Sequence, residues 1–319
     1  MSRVLVCGGA GYLGSVLVPL LLDAGHHVTV MDTFLYGQTP FLDRCGDSAL
    51  TILREDARHK KALEHALKGQ DAVIPLAAIV GAPACVRDMT AARTTNLEAI
   101  RNLMAARTPA QIVVFAMTTS GYGVGPPGSL CTEDAPLAPV SLYGRLKVAA
   151  EVAVLEGVGT VSLRFATLFG ASPRMRRDLL VNDFTWRAAT DGWLVLYEGH
   201  FRRNILHVHD AARAILWALD GLAAGTLAHQ VYNVGMPDAN LTKRELCHAI
   251  RQQVPAFRWF ESPGGRDPDQ RDYHVDHGRI LAEGWKPERT LEEGIGELLK
   301  CYKILAGRGA HANASGRRK

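Results

Sequence analysis

The stretch VLVCGGAGYLGSVL, residues 4–17, constrains the fold more than any other part of the chain. An apolar run of strand type ends in glycines at positions 8, 9, 11 and 14 and passes directly into a helical pattern. Glycine serves three needs in such a place: a tight turn, a backbone that can approach an anion, and a helix packed close to its sheet with its N-terminus aimed at that anion. Gly8, Gly11 and Gly14 stand in GxxGxxG spacing, and Gly9, Gly11 and Gly14 satisfy GxGxxG as well.

The alternation continues. Arg3 to Cys7, His27 to Met31, Leu50 to Arg54, Ala72 to Leu76, Gln111 to Met117 and TVSLRFATLFG read as strands. Between them, helical patterns run to Ala24 and over Ala62–Leu67, Thr90–Ala106 and Leu142–Glu156. Apolar strands without polar alternation, separated by helices, describe a parallel sheet covered on both faces. The expected class is α/β, a Rossmann-like doubly wound sheet occupying residues 1–170. Beyond Gly170 come arginine-rich loops, a helix over Asp178–Thr190, the strands WLVLY and VYNVG, and helices over Lys243–Gln253 and Leu291–Leu305. This predicts a smaller C-terminal substrate lobe over 171–305, with about residues 200–235 returning to the first domain, and an unstructured tail over 306–319. Pro19 should kink the first helix.

Two further features give the fold a chemistry. Asp32 ends the second strand eighteen residues after Gly14, where a carboxylate accepts hydrogen bonds from both hydroxyls of an adenine ribose and repels a 2′-phosphate, so the expected cofactor is NAD. In SLYGRLKVAAE, Tyr143 and Lys147 stand one helical turn apart and share a face. A phenol normally holds its proton to about pH 10. An ammonium nearby, with an oxidised nicotinamide, favours phenolate, and Tyr143 could then take a proton from a substrate hydroxyl.

The totals exclude other classes. A net charge of +4 over 319 residues, partly carried by the tail, does not argue for nucleic acid. The longest apolar run, Val16 to Leu22, contains Pro19 and is too short to cross a bilayer, and no signal sequence opens the chain, so a cytoplasmic protein is expected. Six dispersed cysteines form no CxxC pair and read as small buried hydrophobes, not as a disulfide framework or zinc site. His207, His209 and Asp210 lack a further ligand at metal spacing. They read as a strand entering a helix, with Asp210 as its cap.

Taken in order, these pieces resemble the extended short-chain dehydrogenase/reductase family, in its nucleotide-sugar epimerase/dehydratase branch, from Arg3 to about Leu305. The matching segments are the glycine loop, Asp32, EDAR, LAA at 76–78, TTNLEAIRNL, Thr118 four before Tyr122, Tyr143 with Lys147, LRFATLFG, RRNILHVHDAARAI, YNVG and RDPDQRDYHVD. The resemblance implies NAD contacts from Gly8, Gly11, Tyr12, Leu13, Gly14, Asp32, Asp56, Ala57, Leu76, Ala77, Ala78 and Asn96. It makes Thr118 the partner of the reacting oxygen, Tyr143 the general base and acid, and Lys147 a ligand of the nicotinamide ribose. Arg203 and Arg266 fall where members grip a nucleotide diphosphate, and a homodimer through the helices 90–106 and 142–156 is implied. Thr119, next to Thr118, is counted with the substrate contacts. Arg174, Arg176 and Asn182 join them on chemical grounds, since guanidinium forks suit phosphate oxygens.

Dehydratases of the branch carry Thr-Asp-Glu where this chain has Thr118, Thr119 and Ser120, which disfavours 4,6-elimination. Oxidation at the sugar C4 remains, followed by release of the ketone or return of the hydride as epimerisation. The segments AAIVGAPAC, VLYEGHFRRNILHV, YNVGMPDANLTK and DPDQRDY also resemble a subgroup acting on GDP-heptoses at C4. Pro75 and Thr167 stand where many members have histidine and asparagine, so those contacts are not carried over. A non-catalytic NAD sensor would need the glycines and Asp32, but not the proton-transfer pair.

Overall fold

The computed structural model describes residues 1–125, 130–264 and 272–305. Arg266 and the tail from 306 lie outside them. The strands are β1 (Arg3–Cys7), β2 (His27–Met31), β3 (Leu50–Leu53), β4 (Ala72–Pro75), β5 (Ile112–Thr118), β6 (Leu130–Cys131), β7 (Thr160–Phe165), β8 (Thr167–Phe169), β9 (Trp193–Leu196), β10 (Arg202–His207), β11 (Val231–Val234), β12 (Asn240–Thr242), β13 (Arg258–Glu261) and β14 (His274–Val275). Seven of them form one parallel sheet in the order β11-β7-β5-β4-β1-β2-β3. The order reverses at the β1/β4 boundary, which opens a crevice beyond the carboxyl ends of those strands.

The missing polar alternation in β1 has its cause here. Val4 and Val6 enter one hydrophobic cluster and Leu5 and Cys7 the other, so both faces are dry. One face is covered by α1 (Gly14–Asp23) and the later helix Val208–Ala224; the opposite face meets α2 (Lys60–Leu67) and helical segments between 82 and 155. Helix α1 keeps Pro19 within its span.

Two expectations are corrected. Thr90–Ala106 is not one regular helix. Between α4 (Met89–Arg93) and α5 (Ala99–Ala106), which follow α3 (Ala82–Arg87), a π-helical turn covers Thr94–Glu98. TVSLRFATLFG is likewise two strands: the chain leaves the main sheet at Ala166, and β8 pairs with β10 in a separate sheet with β12. The break comes from tertiary pairing, which local propensity does not encode.

After α6 (Leu142–Leu155) and α7 (Leu180–Thr190), α8 (Val208–Ala224) packs against α1, and β11 completes the main sheet beside β7. The remaining helices are α9 (Lys243–Gln253), α10 (Gly278–Ala282) and α11 (Leu291–Leu305). The small sheets β9/β13 and β6/β14 complete the C-terminal part. Asp210 does not cap its own helix: its carboxylate accepts from the amides of Glu288 and Arg289, and His207 occupies the cap. Four of the cysteines are buried, whereas Cys45 is exposed and Cys301 partly so. Among the described residues, no helix is long and apolar enough to cross a membrane.

Candidate active site

The carboxyl ends of β1, β2 and β4 are stitched together around the glycine loop. Gly8 has φ +79°, its N–H donates to Met31 O at 2.7 Å, and an added Cβ would lie 2.5 Å from Ala77 N. Leu76 and Ala77 both donate to Cys7 O, so the LAA segment is pressed against the loop. At Gly14 a Cβ would meet Gly9 O at 2.4 Å, and only glycine lets α1 start this close to the turn. The result is a backbone cradle at a helix N-terminus, of the kind that holds a diphosphate.

Asp32 closes the other end of that cradle. Its Oδ2 accepts from Ala10 N at 3.0 Å and its Oδ1 from Phe34 N at 2.8 Å, leaving lone pairs on both oxygens for ribose hydroxyls. Burial raises the Asp32 pKa, and these amide bonds oppose that rise. The loop carrying Asp56 and Ala57 lies alongside, with Glu55 N donating to Asp32 O. The Asp56 carboxylate is gripped by Arg58 at 2.6 Å, and this hydrogen bond lowers its pKa.

Two of the expected cofactor residues also have structural partners. Asn96, buried on the π-turn, accepts from Ile79 N and donates to Ile79 O, each at 2.8 Å. Its amide is spent on shaping the segment after Ala78. Tyr12 turns its hydroxyl to Gly170 O at 2.7 Å, so its ring ties the loop to β8, while Leu13 packs on the core.

Thr118 ends β5 and caps the short turn that follows, its hydroxyl 2.9 Å from Ser120 Oγ. Helix α6 begins against that turn. Ser141 Oγ accepts from Gly144 N at 3.1 Å, and a Cβ on Gly144 would lie 3.2 Å from Ser120 O and 2.9 Å from Pro139 Cβ. Tyr143 therefore projects from a helical turn seated on the Thr118 segment. One turn on, Lys147 is buried with Nζ 4.0 Å above the Phe115 ring centroid. Burial lowers its pKa to about 7, against an opposing pull from Glu151.

The sequence reading missed what fixes α6. Glu151 accepts from Arg164 Nη2 at 2.9 Å and from Ser162 Oγ at 2.6 Å, and Arg164 also donates to Tyr122 OH and Glu133 O. An arginine inside the apolar strand TVSLRF was the available signal, because a buried guanidinium needs a partner.

The proposed substrate residues divide. Thr119 is buried, bonding Phe165 O and the Tyr273 hydroxyl. Asn182 is fully buried, joining Gly170 N, Arg176 O and Tyr12 OH, and so acts as an internal latch. Arg176 has its fork on Asp178. Arg203 lies buried on β10 and donates to Arg202 O. Arg174 sits over Tyr36, in the loop after β2.

The sequence profile of the NAD dependent epimerase/dehydratase family matches residues 4–235. The chain belongs to this family. A dTDP-glucose 4,6-dehydratase of Streptomyces niveus is 28% identical, covering 94% of this chain and 93% of its own length. A UDP-glucose 4-epimerase of Corynebacterium glutamicum is 27% identical, over 97% and 98%. The solved UDP-glucose 4-epimerase of Thermus thermophilus, in complex with NAD, superposes with a TM-score of 0.78 at 27% identity, over 94% of this chain and 99% of its own. The family is one of NAD-dependent epimerases and dehydratases, and the cofactor of this chain is NAD. Its glycine cradle and Asp32 fit NAD: the loop admits a diphosphate, and the carboxylate suits a free adenosine ribose.

Proposed function

We propose that this enzyme oxidises C4 of a nucleotide-diphosphate sugar and then either releases the 4-keto sugar or returns the hydride as a 4-epimerase. The supporting observation is the seating of α6 on the turn after β5, where Gly144, next to Tyr143, packs against Ser120, two residues after Thr118, and Lys147 is buried over Phe115. Bound NAD supplies the hydride acceptor. Thr118 orients the substrate hydroxyl, Tyr143 takes its proton, and Lys147 in its charged form favours the phenolate and holds the nicotinamide ribose. Arg203, together with Arg266 outside the described residues, is assigned to the sugar nucleotide's diphosphate.

Relatives include dehydratases, and two features favour oxidation or epimerisation here. The turn Thr118–Tyr122 carries no carboxylate, and Thr119 is already bonded internally. The likeness to the GDP-heptose subgroup nominates GDP-sugars as the first substrates to try. The same reading divides the chain into a dinucleotide half through Gly170 and a substrate lobe beyond it. It also makes the protein a cytoplasmic homodimer, in keeping with apolar Met89 and Val152 exposed on α4 and α6.

The test is purified protein with NAD and GDP-, UDP-, dTDP- or CDP-sugars, read by NADH absorbance and by product analysis for epimers and ketones. One class should turn over, and Tyr143→Phe should lower kcat at least about a hundredfold while NADH still binds. Undiminished turnover by Tyr143→Phe, or a 4-keto-6-deoxy product, overturns the proposal.

A further inference from the structure

We infer that Arg174 is a cofactor residue: its guanidinium closes over the diphosphate of NAD from the side opposite the glycine loop. It reaches there from the arginine-rich loop after β8. That loop is strapped to the first turn of α1 at several points. Tyr12 donates to Gly170 O at 2.7 Å, Ser172 Oγ donates to Tyr12 O at 2.7 Å, the Ser172 and Ser15 hydroxyls lie 2.8 Å apart, and Arg174 N donates to Ser15 Oγ at 3.4 Å.

The backbone of Arg174 thus stands at the N-terminus of α1, where the diphosphate-facing amides lie. Its guanidinium ends 4.0 Å above the ring of Tyr36, in the loop that leaves β2 after Asp32. A side chain spanning from Ser15 to Tyr36 crosses the mouth of the cradle between them.

The charges agree with this assignment. Asp32 is among the groups that feel Arg174, and both Asp32 and Arg174 are shifted chiefly by burial. Arg176 is close enough to oppose the charge of Arg174, and Asp178 and Tyr36 support it. A guanidinium buried beside a second arginine gains from an added anion, and a diphosphate supplies one at this end of the cleft. Stacking on Tyr36 fixes the plane of the fork, so little rotamer freedom remains to be lost on binding.

The experiment compares NADH binding, by fluorescence titration of the cofactor-free full chain, with UDP and GDP binding, by calorimetry on NAD-saturated protein. Arg174→Ala should weaken NADH about tenfold and flatten the fall of its affinity with salt, while the nucleoside diphosphates change less than about twofold. Arg174→Lys, which keeps the charge and loses the fork, should fall between, and Tyr36→Leu should cost about threefold. These last two carry the test if Arg174→Ala does not fold. NADH affinity and salt dependence unchanged across the folded variants would overturn the inference. So would a tenfold loss of UDP or GDP binding with NADH unaffected. None of these readouts requires turnover, so a failure of the proposed reaction would show separately.

Discussion

The proposed chemistry asks Lys147 to be charged and the fold buries it, and the conflict has a measurable size. Its pKa falls from 10.5 to about 7, with burial as the leading cause. Below pH 7 the lysine is protonated in both the folded and the unfolded chain, and the fold bears the whole cost of burying the charge. Between 7 and 10.5 the folded chain has released the proton while the unfolded chain still binds it, so stability rises with pH across that window. At about 1.4 kcal/mol per tenfold, the full span has an upper bound near about 5 kcal/mol. Structural relaxation and water penetration reduce such penalties, and we expect about 2–3 kcal/mol between pH 6 and 9.5. Lys147→Met keeps the length and apolar stem without the charge. In urea unfolding of the cofactor-free protein, the variant's lead over the parent should be larger at pH 6 than at pH 9.5 by about 2–3 kcal/mol, while turnover is lost. Other groups titrating in that range cancel in the difference. A gap between the two proteins that is the same at both pH values, or a parent that is the more stable at pH 6, would refute the reasoning.

Two further outcomes follow from buried polar groups. Asn182→Ala leaves Gly170 N and Arg176 O without their side-chain partner and should cost about 2–4 kcal/mol in urea unfolding; a variant of parental stability whose substrate KM alone has risen would instead restore Asn182 as a substrate contact. His277 is buried, and burial lowers its pKa from 6.5 to about 4, so the stability present above pH 6.5 is lost as pH falls through 4; His277→Gln should flatten that acid limb by about 2–3 kcal/mol, and an unchanged limb would show that His277 does not drive it.

What the sequence made legible is what the backbone or a local spacing demands. Gly8 must adopt positive φ and Gly14 must admit a helix at contact distance, and both needs appear as glycine at fixed offsets. Asp32 is set by the length of one βα unit, and Tyr143 with Lys147 by one turn of helix. The sequence is least legible where the partner is remote. Asn96 was read correctly as important, but its role depends on Ile79 and on a π-turn that no propensity announces. Thr119 and Asn182 are polar residues in loops or helix starts, which locally resemble ligand contacts. Only the fold shows that these side chains are already engaged, Thr119 by Tyr273 and Asn182 by Gly170.

The remote partners also explain how α6 is held to the accuracy that the proposed proton transfer demands. Helix α6 is fixed at its start by the Ser141 cap and by the bare Gly144 surface against Ser120. One turn beyond Lys147 the same helix is fixed again, where Glu151 grips Arg164 and Ser162 of β7. Arg164 continues to Tyr122 in the turn that follows Thr118, and Tyr122 donates to Asn233 on β11 at 2.7 Å. Helix α6 and the turn after Thr118 are thus both tied to Arg164 of β7, so neither can shift without breaking a buried charged contact. Under the proposed reaction, Tyr143 is in this way positioned by buried residues of β7, and a donor set this rigid favours one hydroxyl geometry at the reacting carbon over its neighbours.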